Sequence, residues 1–223
     1  MIQNIVIVSG GRLGNADFFR RKLNQTGDFL LICCDGGARH LAGTGLAPDV
    51  LIGDMDSLSS RQLKQYEQQG VKLIRYPTVK DFTDTALALD YALNLKPARI
   101  QIWGALGGRL DHALANLFVL VRAKEAGIAV RLLDEYGETF VPVHDAVFEN
   151  AEGCLVSLLA LSSRVEGVTL EGFAYPMEEG TLELSESRGV SNIIVSRRAR
   201  IHVRSGHLLV IRYWQKDFFP EAD

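Results

Sequence analysis

Asp54 and Asp56 stand two apart in Gly53-Asp54-Met55-Asp56-Ser57, and in an extended segment that spacing points both carboxylates to one side. Two carboxylate oxygens so placed can share a hard divalent cation, and magnesium prefers such ligands while keeping waters and substrate phosphates in its shell. Similar clusters recur along the first half of the chain: Asp35-Gly36-Gly37, Lys80-Asp81-Phe82-Thr83-Asp84, and Gly107-Gly108-Arg109-Leu110-Asp111-His112. Lys80 offers a cation for phosphate beside Asp81 and Asp84. The glycines before Arg109 let backbone amides and a guanidinium approach an anion at a helix start. Taken singly, each cluster also reads as a turn or a helix cap. Their repetition, each just after an apolar run, points to one metal-assisted phosphate site.

The apolar runs that would position these clusters are Ile2 to Ser9, Leu30 to Cys34, Val50 to Gly53, Leu73 to Tyr76, Ile100 to Trp103 and Val130 to Leu133. Between them, apolar residues at three- and four-residue spacing predict helices over Ala16 to Leu23, Ala38 to Thr44, Ser59 to Gln69, Thr83 to Leu93 and His112 to Ala126. Ser57 or Ser59, Thr83 and Asp111 are the candidate caps. The alternation predicts an α/β unit, and the nearly unbroken apolar strands imply a mostly parallel sheet with helices on both faces. In such a sheet the clusters gather along the carboxyl edge, where these folds bind ligands.

From Val141 onward the rhythm changes to short β-prone runs: Leu155 to Leu161, Arg164 to Leu170, Gly180 to Leu184, Asn192 to Val195, Ala199 to Val203 and His207 to Tyr213. They predict an all-β sandwich, with the change-over near residues 135 to 150 and domains drawn as 1–140 and 141–223. Trp214 reads as a core aromatic, and DFFPEAD as a loosely held end.

The 223 residues suffice for one large or two small domains, and the balance of 47% hydrophobic to 23% charged residues is that of a globular protein. A formal charge of -3 with dispersed Lys and Arg argues against nucleic acid, and no apolar run has the length of a membrane span. MIQNIVIVSGG reads as a first strand rather than a signal peptide. Cys33, Cys34 and Cys154 have neither ligand nor disulfide spacing and read as buried thiols of a reducing compartment, the cytoplasm. The sequence lacks a GxxxxGK[ST] loop, and Ser9-Gly10-Gly11-Arg12-Leu13-Gly14 is not GxGxxG, so a P-loop enzyme and an ordinary dinucleotide-binding domain are both unsupported. The five histidines are scattered, and only His112, beside Asp111, is a candidate for chemistry.

Read together, CDGGARHL, PDVLIGDMDS, KDFTDTALAL, GALGGRLDHALANL and the late VEGVTLEGFAYPME and SRGVSN resemble the thiamine pyrophosphokinase family over nearly the whole chain. The resemblance implies ATP-dependent transfer of a pyrophosphoryl group to thiamine, giving thiamine diphosphate and AMP. It implies Mg2+ on Asp54, Asp56 and Asp84, with Asp81 in reserve, and Lys80 and Arg109 on the phosphates. Asp35 and Asp111, with His112 beside them, would line the nucleotide and acceptor pocket, Asp111 among the catalytic residues. It further implies a homodimer in which thiamine sits between the α/β domain of one subunit and the sandwich of the other, meeting Ser191 and Asn192. The rival readings are a magnesium-dependent phosphohydrolase, a kinase of another small alcohol, or a nucleotide- or thiamine-binding sensor.

Overall fold

The computed structural model describes residues 3–42, 44–79 and 81–214. Lys80, Ile2 and the DFFPEAD end therefore lie outside the described residues. The chain divides into two compact units, Met1–Glu135 and Tyr136–Asp223, a division slightly ahead of residue 140.

In the first unit, strands β1 (Asn4–Val8), β2 (Leu30–Cys34), β3 (Val50–Gly53), β4 (Lys72–Arg75), β5 (Arg99–Trp103) and β6 (Ala129–Leu133) form a parallel sheet in the order β6-β5-β1-β2-β3-β4. β1 and β3 are buried along their whole length, as unbroken apolar strings require when both sheet faces are covered. β4 is the edge, and its terminal Lys72 and Arg75 are exposed, which discourages further pairing. The strand order reverses between β1 and β5, and that switch point is where open parallel sheets take their ligands.

The connecting helices are α1 (Ala16–Asn24), α2 (Ala38–Leu41), α3 (Ser60–Gln68), α4 (Asp84–Asn94) and α5 (Leu110–Glu125). Ser59 caps α3 in a reciprocal box with Gln62, and the Thr83 hydroxyl accepts from Ala86 N at 3.2 Å, each cap contributing about 1 kcal/mol. Asp111 does not cap α5. The cap position belongs to Arg109, and Asp111 lies in the first turn, where a carboxylate favours the positive end of the helix dipole. The segment expected as one helix over Ala38 to Thr44 is shorter, entered by a 3₁₀ turn, Asp35–Gly37. No helix among the described residues is long and apolar enough to cross a membrane.

The second unit holds β7 (Gly137–Phe140), β8 (Ala146–Glu149), β9 (Leu155–Ala160), β10 (Arg164–Glu171), β11 (Met177–Glu183), β12 (Asn192–Ile193), β13 (Arg198–His202) and β14 (Leu208–Tyr213). They pair antiparallel in the orders β12-β9-β14-β7 and β11-β10-β13-β8. Alternate residues of both layers, among them Phe140, Phe148, Val156, Leu158, Val168, Leu170, Ile201 and Val210, make one core, as a sandwich demands. Trp214 is not in it: the ring is half-buried just after β14, with the Arg212 guanidinium 4.9 Å from its centroid. Among the described cysteines, Cys33 and Cys34 are buried free thiols while Cys154 is only half-buried.

Candidate active site

The loops after β1, β2, β3 and β5 surround a cleft of about 1480 Å³ at the carboxyl edge of the parallel sheet, more than one drug-sized ligand needs. Near its middle the loops after β1 and β5 run side by side: Ser9 N–H donates to Trp103 O and Gly11 N–H to Gly104 O, both at 2.7 Å. α2 steadies the first of these loops, since Arg39 donates to the Gly10 carbonyl and His40 Nε2 lies 2.7 Å from Gly11 O. Burial pulls the His40 pKa down, although this bond to Gly11 opposes the shift.

On the β2/β3 side, one carboxylate oxygen from each of Asp35, Asp54 and Asp56 falls within 4.8 Å of the others. Asp35 follows β2 directly, opens the 3₁₀ turn and is 1% exposed. Its Oδ2 accepts Ser57 N at 3.1 Å, and its Oδ1 is buried without a hydrogen-bond partner. Burial pushes the Asp35 pKa up, the Ser57 N–H restrains it, and the negative charges of Asp56, Asp54 and Asp84 add to the rise. Gly53 permits this closeness. Its φ is +152°, and a Cβ there would lie 2.6 Å from the Asp35 Cβ.

Asp54 and Asp56 reach the same side by a route other than an extended segment. Met55 between them has φ +68° and is buried, so the backbone reverses over an anchored side chain. A non-glycine residue in that region costs about 1–2 kcal/mol. Ser57 Oγ then donates to Asp56 Oδ1 at 3.2 Å. Asp84 opens α4 and acts electrostatically on Asp35, and Asp81 lies on the cleft wall ahead of it.

On the β5 side, Arg109 and Asp111 are both exposed and form a two-pronged pair, Nε to Oδ1 at 3.1 Å and Nη2 to Oδ2 at 2.5 Å. That guanidinium, with a lesser contribution from the His112 N–H, holds the Asp111 pKa down at about 2. Arg109 and His112 line the cleft. Asp111 meets them through these contacts.

Ser191 and Asn192 belong to the second unit. Ser191 is exposed at φ +62° with its N–H on Ser157 Oγ at 3.1 Å. Asn192 is buried, and its amide clamps a neighbouring turn: Nδ2 donates to Tyr175 O at 2.8 Å while Oδ1 accepts Tyr175 N at 3.0 Å and Ile193 N at 2.9 Å. Sequence reasoning passed over Ser9, Arg39, His40, Thr85, Asn116 and Glu135, all of which line the cleft. Ser9 Oγ and Thr85 Oγ1 lie 2.6 Å apart in its buried floor. Nothing in their local sequence sets them apart; the topology brings them together.

Crowded carboxylates on one side of a sheet's switch point, and glycine-bearing loops with a guanidinium on the other, define an α/β enzyme that handles phosphate groups. The model of the thiamin pyrophosphokinase catalytic domain matches residues 22–132, and that of the thiamin pyrophosphokinase vitamin B1 binding domain matches residues 145–208. Thiamine pyrophosphokinase of Bacillus subtilis is 32% identical, with 82% of this chain and 86% of that protein covered. The crystal structure of thiamine pyrophosphokinase from Bacillus subtilis superposes with a TM-score of 0.82 at 29% identity, covering 95% of this chain and 99% of that one. That of thiamin pyrophosphokinase from Geobacillus thermodenitrificans gives 0.79 at 26% identity over 97% and 100%. The chain belongs to the thiamin pyrophosphokinase family, a family of ATP-dependent diphosphotransferases.

Proposed function

We propose the following division of labour for the family's reaction in this chain. The protein transfers the pyrophosphoryl group of ATP to thiamine, releasing AMP and thiamine diphosphate. The thiamine hydroxyl oxygen bonds to the β-phosphorus as the bond to the oxygen bridging the α- and β-phosphates breaks; AMP leaves with that oxygen, and the hydroxyl gives up its proton. Such a displacement asks chiefly for alignment and for charge neutralisation.

The observation that carries the reading is the buried, unpartnered Asp35 Oδ1 among carboxylates that raise its pKa. Such crowding suits a divalent oxygen-seeking cation: Asp35, Asp54 and Asp56 lie close enough together to hold Mg2+, and Asp84, whose charge acts on Asp35, joins Asp54 and Asp56 in the proposed donor set. When bound, Mg2+ supplies positive charge to the phosphate oxygens. Arg109 and Lys80 bind phosphate oxygens, Arg109 turning from Asp111, which with His112 keeps the guanidinium at the cleft mouth. Asp81 stands behind Asp84 as a further carboxylate.

The first unit is the catalytic domain, and the second binds thiamine and forms a homodimer. The exposed Ser191 hydroxyl meets thiamine, and Asn192 holds the turn that presents it. Exposed Tyr175, Val190 and Val195 nearby support a surface that becomes covered. Free thiols support the cytoplasm as its compartment.

Incubation with ATP, Mg2+ and thiamine is expected to yield AMP and thiamine diphosphate in equal amounts. Formation of ADP, or of AMP without thiamine, would sink the assignment in favour of another kinase or a phosphohydrolase. Ligand-induced stabilisation without turnover would mark a sensor. Light scattering tests the dimer.

A further inference from the structure

On the β5/β6 side the cleft wall keeps bonds unmade, since Asn116 Oδ1 and Glu135 Oε2 are buried without partners. The loop after β1, residues 9–14, is instead held by neighbours on several elements. From α4, Thr85 Oγ1 lies 2.6 Å from Ser9 Oγ, and both residues are 5% exposed. From α2, the Arg39 guanidinium donates to Gly10 O and, at 3.4 Å, to Gly11 O. His40 Nε2 lies 2.7 Å from Gly11 O; a carbonyl only accepts, so Nε2 carries the hydrogen and donates it. Missing side chains let the loops come this close: a Cβ at Gly11 would lie 2.5 Å from Gly104 O, and one at Gly37 2.3 Å from Val8 O.

These tethers come from the elements that carry the carboxylates. Thr85 follows Asp84 directly at the start of α4, and Arg39 and His40 stand in α2, the helix that the Asp35–Gly37 turn leads into. Arg39 is exposed and His40 half-buried, so neither fills the core. Gly10 and Gly11 are half-buried themselves, and water can reach carbonyls so placed. The two bonds from α2 therefore select a position for the loop more than they rescue a buried acceptor.

We propose that Arg39, His40 and Thr85 are positioning residues for the transfer: through Gly10, Gly11 and Ser9 they fix the loop after β1 at a set distance from the carboxylate cluster. The proposal rests on the reading of the protein as a pyrophosphoryl transferase, and it asks none of the three to touch the reacting atoms. A misplacement of about 1 Å can cost a displacement roughly a hundredfold in rate, so the spacing between the cluster and the opposite wall of the cleft has to be held by something. Glycines alone do not hold it, because they leave the backbone the most freedom.

The test compares paired variants of the full chain. His40→Gln keeps an N–H donor and Thr85→Ser keeps the hydroxyl, whereas His40→Leu and Thr85→Val remove them. Steady-state kinetics with ATP, Mg2+ and thiamine should show kcat lowered roughly tenfold in each apolar variant, both KM values within about twofold of wild type, and most of the loss recovered in the polar counterpart. Amide hydrogen exchange at Gly10, Gly11 and Arg12 should quicken roughly tenfold in the apolar variants alone. An apolar variant that melts lower but keeps the wild-type kcat per folded molecule and the wild-type exchange rates has lost packing only, and overturns the proposal. So does a polar counterpart as slow as the apolar one, or a raised KM with kcat unmoved, which would make the residue a binding group. Should His40→Leu or Thr85→Val fail to fold, Arg39→Met against Arg39→Lys repeats the comparison on the exposed side of α2. If the wild type turns over no thiamine, the proposed activity fails, and the exchange rates alone decide whether the loop is braced.

Discussion

Charges are arranged oppositely in the two units. In the cleft of the first, Asp35, Asp54, Asp56 and Asp84 crowd together, and burial and like charge push the Asp35 pKa up. On the second, Asp145 accepts from Arg200 Nε at 2.7 Å and lies 2.7 Å from His202 Nδ1, so these partners hold its pKa down. Arg164 with Glu183 at 2.8 Å and Arg204 with Glu179 at 2.6 Å repeat that pairing. A paired carboxylate is satisfied by the fold, whereas a crowded one is satisfied only by something the fold lacks. Like-charge crowding is therefore the better pointer to function, and pairing the better pointer to structure.

The largest break in this contrast is expected from Asp54→Asn or Asp56→Asn. Either should lower kcat by about three orders of magnitude, on the order of 4 kcal/mol, while thermal unfolding of the metal-free protein moves little. In the second unit the order of effects reverses. Glu138→Ala strips Arg212 of the carboxylate 2.9 Å away, and both groups are largely buried. Unfolding by urea should show a loss of about 3 kcal/mol, because a charge is left unpaired inside. Asp35→Asn separates the two roles within one residue. A carboxyl whose folded pKa is raised favours the folded state below its ordinary pKa and loses that advantage as pH rises through the raised value. The variant should therefore melt a few degrees higher than wild type at neutral pH without metal, and gain less from added Mg2+. A wild-type protein that melts as high as the variant under those conditions would remove the crowding argument.

The same contrast explains what could be read from the sequence. β1, β2 and β3 are legible because strands buried on both faces spell unbroken apolar runs. α3 buries no residue, yet Ser59 and Gln62 mark its start through their capping box. β7 is hidden because Gly-Glu-Thr-Phe looks like a turn, although all four residues are buried. Glu138 lies inside with Arg212 facing it across the ladder, a pairing distant in sequence. At the site, the aspartate clusters after strands were visible as residue types, but the Met55 reversal was not. Its φ of +68° is imposed by a side chain buried in tertiary packing, which no local propensity encodes. Asn116 and Glu135 were silent for a related reason: an unmade hydrogen bond becomes visible only once the surroundings are assembled.

The smallest effect tests where pairing and crowding meet. Arg109 and Asp111 pair as the second unit's charges do, but they do so at the mouth of the cleft and in full contact with solvent. Exposed pairs contribute little to stability, so Arg109→Gln should leave urea unfolding at neutral pH almost unchanged. Its mark should be on titration. The Asp111 pKa, held at about 2, should climb toward the ordinary value of 3.8 when the guanidinium goes, as followed by NMR of the carboxyl carbon. A group whose folded pKa is depressed contributes stability above its unfolded value and loses it as pH falls through the depressed one, so the small difference between the proteins should be present at neutral pH and fade only as pH falls through that acidic window. A large loss of stability at neutral pH would make the pair a structural clamp like those of the sandwich. Loss of nucleotide affinity with unfolding unchanged would leave it as a guanidinium held ready for phosphate, because an exposed pair is cheap to break when a doubly charged anion arrives.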